Sequence, residues 1–127
     1  MADSKENICV LGAGSWGTAL AKILADNGFK VHIWSIEENV LDEIANNHLN
    51  SKYHPGIRLS NNIIPVKDLR EAVKDKRYIV SVLPSQSVRD NLKRIKKDIS
   101  SNSAIISASK GIENRSLKTV SEVILDE

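Results

Sequence analysis

One ten-residue stretch narrows the possible folds more than anything else in the chain: Ile8-Cys9-Val10-Leu11, then Gly12-Ala13-Gly14-Ser15-Trp16-Gly17. Four consecutive apolar residues suit a parallel strand buried on both faces. Three glycines at G-x-G-x-x-G spacing follow at once. Thr18 to Asn27 then carries Ala19, Leu20, Ile23 and Leu24 at helical spacing. In the order strand, glycine turn, helix, Gly12 allows the tight turn and Gly14 lets the backbone approach a pyrophosphate. Gly17 lets the helix pack closely on the strand. The N–H groups of Ser15, Trp16 and Gly17 then face an anion at the positive end of the helix dipole. The glycine spacing alone is a weak signal, and its place between a strand and a helix makes it a good one. A glycine-rich turn without a ligand is the competing reading.

The rest of the chain repeats the alternation. Gly28 is placed to cap the first helix. Lys30 to Ser35 reads as a strand through Val31, Ile33 and Trp34. Glu37 to Asn47 reads as a helix burying Val40, Leu41 and Ile44. Asn46 to Asn62, rich in Asn, Ser, Gly and His, reads as a long loop. Ile63-Ile64-Pro65-Val66 is a short strand that its proline confines to a sheet edge. Lys67 to Lys76 is helical through Leu69, Ala72 and Val73. Tyr78 to Leu83 is a strand stopped by Pro84. Ser85 to Ile99 is a helix with Val88, Leu92, Ile95 and Ile99 on one face. Ala104 to Ser107 is the fifth strand, and Ser116 to Asp126 a last helix.

Five strands alternating with helices predict an α/β fold, a doubly wound parallel sheet of Rossmann type with strand order 3-2-1-4-5. It is expected to be incomplete at its C-terminal end, since a sixth strand is absent and the chain stops at Glu127 inside a helix. Residues 1–127 therefore read as one N-terminal dinucleotide-binding domain. The order reverses between the first and fourth strands, so a ligand is expected between the glycine turn and Pro84-Ser85-Gln86. The fifth strand aims Lys110 at the same crevice.

Composition excludes several alternatives. With 41% hydrophobic and 27% charged residues over 127 positions, the chain reads as one globular domain with its own core. A net charge of +2 argues for neither nucleic acid nor a membrane surface. No apolar run approaches a membrane span, and Met1 to Glu6 has no signal-peptide core. The single Cys9 is expected to be a small buried hydrophobe, which fits a reducing cytoplasm.

Among the side chains with chemical potential, Glu37 follows Gly17 by twenty positions, near the end of the second strand. An acid there can accept hydrogen bonds from the ribose hydroxyls of NAD and repel a 2′-phosphate. Glu38 next to it is the alternative partner, Ile36 is placed to pack on the adenine, and a first-turn glutamate favoured by the helix dipole is an equally weighted reading. Lys110 is either a surface lysine or a contact for an anionic substrate beside the cofactor. His32, His48 and His54 have no companions at metal-ligand spacing, so no metal is expected. Lys93, Arg94, Lys96 and Lys97 read as a solvated helix face, since no aromatic residues interleave with them.

Four motifs in order resemble the opening of NAD(P)-dependent glycerol-3-phosphate dehydrogenases. They are Gly12-Ala13-Gly14-Ser15-Trp16-Gly17-Thr18-Ala19, Tyr53-His54-Pro55-Gly56, Leu83-Pro84-Ser85-Gln86 and Ser109-Lys110-Gly111-Ile112-Glu113. His54 stands where the family often has leucine, Leu83 where it often has valine, and Ile36 where many NADPH-preferring bacterial members carry a basic residue. The resemblance implies reversible hydride transfer between a nicotinamide and dihydroxyacetone phosphate, giving sn-glycerol 3-phosphate for glycerophospholipids. It implies NAD as cofactor, with NADP still open. Gly12 to Gly17, Ile36, Glu37, Pro84 and Lys110 would line the cofactor, and Lys110 would also touch the phosphate substrate. It assigns no catalytic residue here, because the acid–base lysine belongs to a helical domain beyond Glu127. A homodimer is among the expectations. The alternatives are another two-domain dehydrogenase, of 3-hydroxyacyl or 6-phosphogluconate type, and a non-catalytic nucleotide-sensing module.

Overall fold

The computed structural model of the chain describes residues 7–83, 88–99 and 103–107. A parallel sheet is built from β1 (Ile8–Leu11), β2 (Val31–Trp34), β5 (Ile63–Pro65), β6 (Tyr78–Ser81) and β7 (Ala104–Ser107). Its order is β5-β2-β1-β6-β7, the 3-2-1-4-5 arrangement that the alternation predicts. Every pairing in it is parallel. Pro65 lies in edge strand β5, which among the described residues pairs with β2 alone, so its missing N–H interrupts no central ladder.

Helices α1 (Ser15–Asp26), α2 (Glu38–Asn47), α3 (Leu69–Val73) and α4 (Val88–Ile95) cover the two faces. Side chains alternate across β1. Ile8 and Val10 join Val31, Ile33, Ala21, Ala25, Val40, Leu41 and Ile44 on the face under α1 and α2. Cys9 and Leu11 join Ile79, Leu69, Val73, Leu92 and Ile95 on the face under α3 and α4. Burial on both faces is why β1 reads as an unbroken apolar run.

Four sequence expectations change, one of them being that α4 stops at Ile95 and does not run on to Ile99. Helix α1 turns a different stripe inward: Gly17, Thr18, Ala21 and Ala25 are buried, Leu20 and Leu24 flank them half-buried, and Ile23 is 56% exposed. Its N-terminal turn lies so close to the glycine turn that small residues take the contact, and the larger apolar ones are displaced to the sides. The helix ends in a Schellman arrangement, with Gly28 N–H donating to Ala25 O and Phe29 N–H to Leu24 O, and Gly28 at φ +92°. The expected loop from Asn46 to Asn62 contains an antiparallel hairpin, β3 (Leu49–Asn50) and β4 (His54–Arg58). The third helix is also shorter than expected. Asp68 caps it by accepting from Arg70 N–H at 3.0 Å, and Lys74 has already left helical geometry. Pro84 to Gln86, Lys110 and the helix expected over Ser116 to Asp126 lie outside the described residues.

Candidate functional site

The site forms where the strand order reverses, at the carboxyl ends of β1, β2 and β6. Gly12 N–H donates to Trp34 O at 2.7 Å, and Val82 N–H donates to Leu11 O at 2.9 Å, so the turn after β1 is stitched to both neighbouring strands. Gly12 has φ +116°, and a Cβ on it would meet Val82 O at 2.9 Å. A Cβ on Gly17 would sit 1.9 Å from Gly12 O. These two positions exclude a side chain by the packing of the protein on itself.

Gly14 is different. It has an ordinary φ of −78°, and among the described residues a Cβ on it would meet nothing within 4 Å. The fold has no need of glycine there. A ligand brought against the backbone does, and the open space over Gly14 is the cradle that such a ligand would fill. Thr18 N–H makes its helical bond to Gly14 O at 3.0 Å. The N–H groups of Ser15, Trp16 and Gly17 precede it and form the positive end of the twelve-residue α1. Phosphate oxygens are the matching acceptors. Trp16 and Ile36 are 53% and 78% exposed, which leaves apolar surface beside this end for a flat heterocycle.

The hairpin braces this turn, a role not legible in the sequence. Asn50 is fully buried, and its Nδ2 donates to Ala13 O at 3.0 Å and to Thr18 Oγ1 at 2.8 Å. The Thr18 hydroxyl donates to the same Ala13 carbonyl at 3.1 Å. His54 Nε2 lies 2.6 Å from Ser15 O; a carbonyl only accepts, so this nitrogen carries the proton. The one advance signal was Tyr53-His54-Pro55-Gly56, which marked the segment without giving its purpose.

Replacing the Asn50 amide by a carboxylate tests the brace. Asn50→Asp turns two buried donors into acceptors facing a carbonyl and a hydroxyl. At pH 7 the expected loss of stability is about 3–5 kcal/mol, the range for an uncompensated buried charge. Burial raises the folded-state pKa of the new carboxyl, so the loss is smallest below its unfolded pKa of about 4 and grows as pH rises through the folded value. Urea unfolding of the full-length protein at pH 4 and pH 7 reads the difference against wild type. Equal losses at the two pH values would remove the buried network as the cause.

At the end of β2, Ser35 Oγ accepts from Glu37 N–H at 3.0 Å and holds the backbone in a short turn. Glu37 occupies the N-cap position of α2 but makes no side-chain cap bond. Its carboxylate instead accepts from Lys52 Nζ at 2.9 Å and from Tyr53 OH at 2.9 and 3.1 Å. The Lys52 hydrogen bond, and after it that of Tyr53, holds the Glu37 pKa below the usual carboxylate range. Glu38, exposed in the first turn of α2, takes the helix-dipole role weighed for Glu37.

The remaining groups have structural roles. Cys9 is fully buried, and burial pushes its thiol up to about 12, so it is a neutral packing residue. His32 is half-buried in β2; burial first, then Lys76 and Lys30, lowers its pKa and keeps it uncharged near neutrality. Lys93, Arg94, Lys96 and Lys97 are exposed, as a solvated face requires.

The comparisons with known proteins agree with this geometry. A family model described as NAD-dependent glycerol-3-phosphate dehydrogenase N-terminus matches residues 7–127. The curated NAD(P)+ glycerol-3-phosphate dehydrogenases of Bacillus thuringiensis and Bacillus anthracis are 46% identical over 120 residues, 94% of this chain and 35% of theirs. The chain thus spans about a third of the length of these relatives. The crystal structure of glycerol-3-phosphate dehydrogenase from Coxiella burnetii superposes with a TM-score of 0.90 at 34% identity, covering 97% of this chain and 38% of that one. The Saccharomyces cerevisiae enzyme superposes at 0.83 and 31% identity, covering 95% and 38%. The chain belongs to the NAD(P)-dependent glycerol-3-phosphate dehydrogenase family, and it carries that family's N-terminal NAD(P)-binding Rossmann domain.

Proposed function

We propose that residues 1–127 are the cofactor-holding part of a longer glycerol-3-phosphate dehydrogenase. It would transfer hydride reversibly between a nicotinamide cofactor and dihydroxyacetone phosphate or sn-glycerol 3-phosphate, as a supply for glycerophospholipids. The observation that carries this reading is the glycine turn, where packing accounts for Gly12 and Gly17 and leaves Gly14 to a ligand. The nicotinamide cofactor supplies the hydride when bound. The N–H groups of Ser15, Trp16 and Gly17 would hold its pyrophosphate, and Ile36 and Glu37 would receive the adenosine end.

In the same reading Pro84 would contact the cofactor and Lys110 both cofactor and substrate, the roles that the resemblance of Leu83-Pro84-Ser85-Gln86 and Ser109-Lys110-Gly111-Ile112-Glu113 implies. The general acid–base lysine and the cover that excludes water come from a helical substrate domain beyond Glu127. The small share of the curated relatives' length supports that division. A cytoplasmic setting belongs to this reading and fits the single, unpaired Cys9. Among the described residues no helix is long and apolar enough to cross a membrane. A homodimer belongs to the same reading. Light scattering on the full-length protein tests it, and a monomer at every concentration sinks it.

The function itself is tested by NADH oxidation with dihydroxyacetone phosphate in the full-length protein. Lys110→Ala is expected to lower kcat/KM by about 100-fold or more, through lost orientation of the substrate, and far more than it weakens NADH binding. Absence of turnover in the wild-type protein would overturn the reading. Full kcat/KM in Lys110→Ala would return that residue to the surface.

A further inference from the structure

An acid at the end of the second strand is the expected partner of a ribose 2′-hydroxyl and the expected barrier to a 2′-phosphate. In this chain that acid is engaged. One Glu37 oxygen accepts from both Lys52 and Tyr53, and the other accepts from Tyr53. The Lys52 ammonium lies 5.3 Å from the centroid of the Tyr53 ring. The side chains of Lys52 and Glu37 remain 54% and 31% exposed, so the pair is open to a ligand.

Three consequences follow. An ammonium has three donors, and Glu37 takes one of them. The Lys52 charge offsets that of Glu37, so the local field does not repel a phosphate as a bare carboxylate would. The Tyr53 hydroxyl holds the carboxylate from a second direction, so Glu37 stays in place if the ammonium turns toward another anion.

We propose that Lys52 is a specificity-determining residue of the adenosine-ribose site, and that its pairing with Glu37 lets one site accept both NAD and NADP. The 2′-hydroxyl of NAD donates to the Glu37 carboxylate. The 2′-phosphate of NADP takes charge-assisted hydrogen bonds from the Lys52 ammonium, which stands one hydrogen-bond length from the same carboxylate. The proposal rests on the reading of the β2 end as the ribose site. It replaces the simpler expectation that Glu37, beside Ile36 and without a base, turns NADP away.

The test is titration of the full-length protein with NADH and with NADPH at fixed ionic strength. Wild type is expected to bind both, with Kd values within about tenfold of each other. Lys52→Ala leaves Glu37 without its ammonium, so NADPH weakens by about tenfold or more relative to NADH. Glu37→Gln shifts the ratio the opposite way, because the acceptor for the 2′-hydroxyl weakens and the ammonium is released. Lys52→Arg retains NADPH binding. A merely structural brace would move both cofactors together, so equal weakening of NADH and NADPH in Lys52→Ala would overturn the proposal, as would no change in either. Failure of the underlying site reading has a separate signature: wild type binding neither cofactor, or Gly14→Val binding both as well as wild type.

Discussion

Gly17→Ala is expected to unfold the cofactor domain locally or prevent its accumulation, although it adds a single methyl group to a helix. The added Cβ would stand 1.9 Å from Gly12 O and 2.9 Å from Gly12 C. Both neighbours are backbone, and no rotamer change relieves them. Gly12 cannot retreat, since its N–H is bonded to Trp34 O at 2.7 Å and its own Cβ direction is closed by Val82 O. The helix must lift off the sheet, which breaks the burial of Thr18, Ala21 and Ala25. Helix propensity alone would favour alanine by up to about 1 kcal/mol. Overpacking against fixed backbone outweighs it, with an expected net loss of about 3 kcal/mol or more. Thermal melts of the full-length protein should show the midpoint lowered by on the order of 10 °C. A variant as stable as wild type would mean that helix and turn are not in the contact described here.

Gly14→Val is the complementary result. Its backbone angles are open to any residue, and none of the described residues lies within 4 Å of the new Cβ, so the fold is expected to survive. The cost is about that of a poor N-cap, roughly 1 kcal/mol. Cofactor affinity is expected to fall by about 100-fold or more, because the isopropyl group occupies the space through which a pyrophosphate reaches the helix N–H groups. Calorimetry with NADH on a variant with a normal melting profile reads this directly. Unchanged affinity would remove the dinucleotide from this turn. Loss of fold together with loss of affinity would contradict the open space over Gly14. The pair of glycine variants thus separates what packing requires from what a ligand requires.

Local patterns in the chain were enough to specify the sheet. Strand order, the edge position of β5 and the inward stripe of α2 follow from short-range patterns: buried runs, helical spacing, and a proline that excludes a central strand. The glycine turn was legible for the same reason, because its three positions lie within six residues and their roles are local. The contacts that hold the site are long-range and emerge with the folded chain. A two-residue β3 and a β4 containing Pro55 and Gly56 carry no alternation to read, and they exist because their partners are remote. Asn50 bonds to Ala13 across 37 positions and Lys52 reaches Glu37 across 15, distances at which periodicity is silent. The stripe of α1 escaped for a related reason. Hydrophobicity selects the large residues, but the close approach forced at Gly17 selects the small ones. Local pattern decides which segments are strands and helices. Which side chains meet at the crevice depends on the distance between elements, and that distance is set by backbone contacts that no run of residues displays.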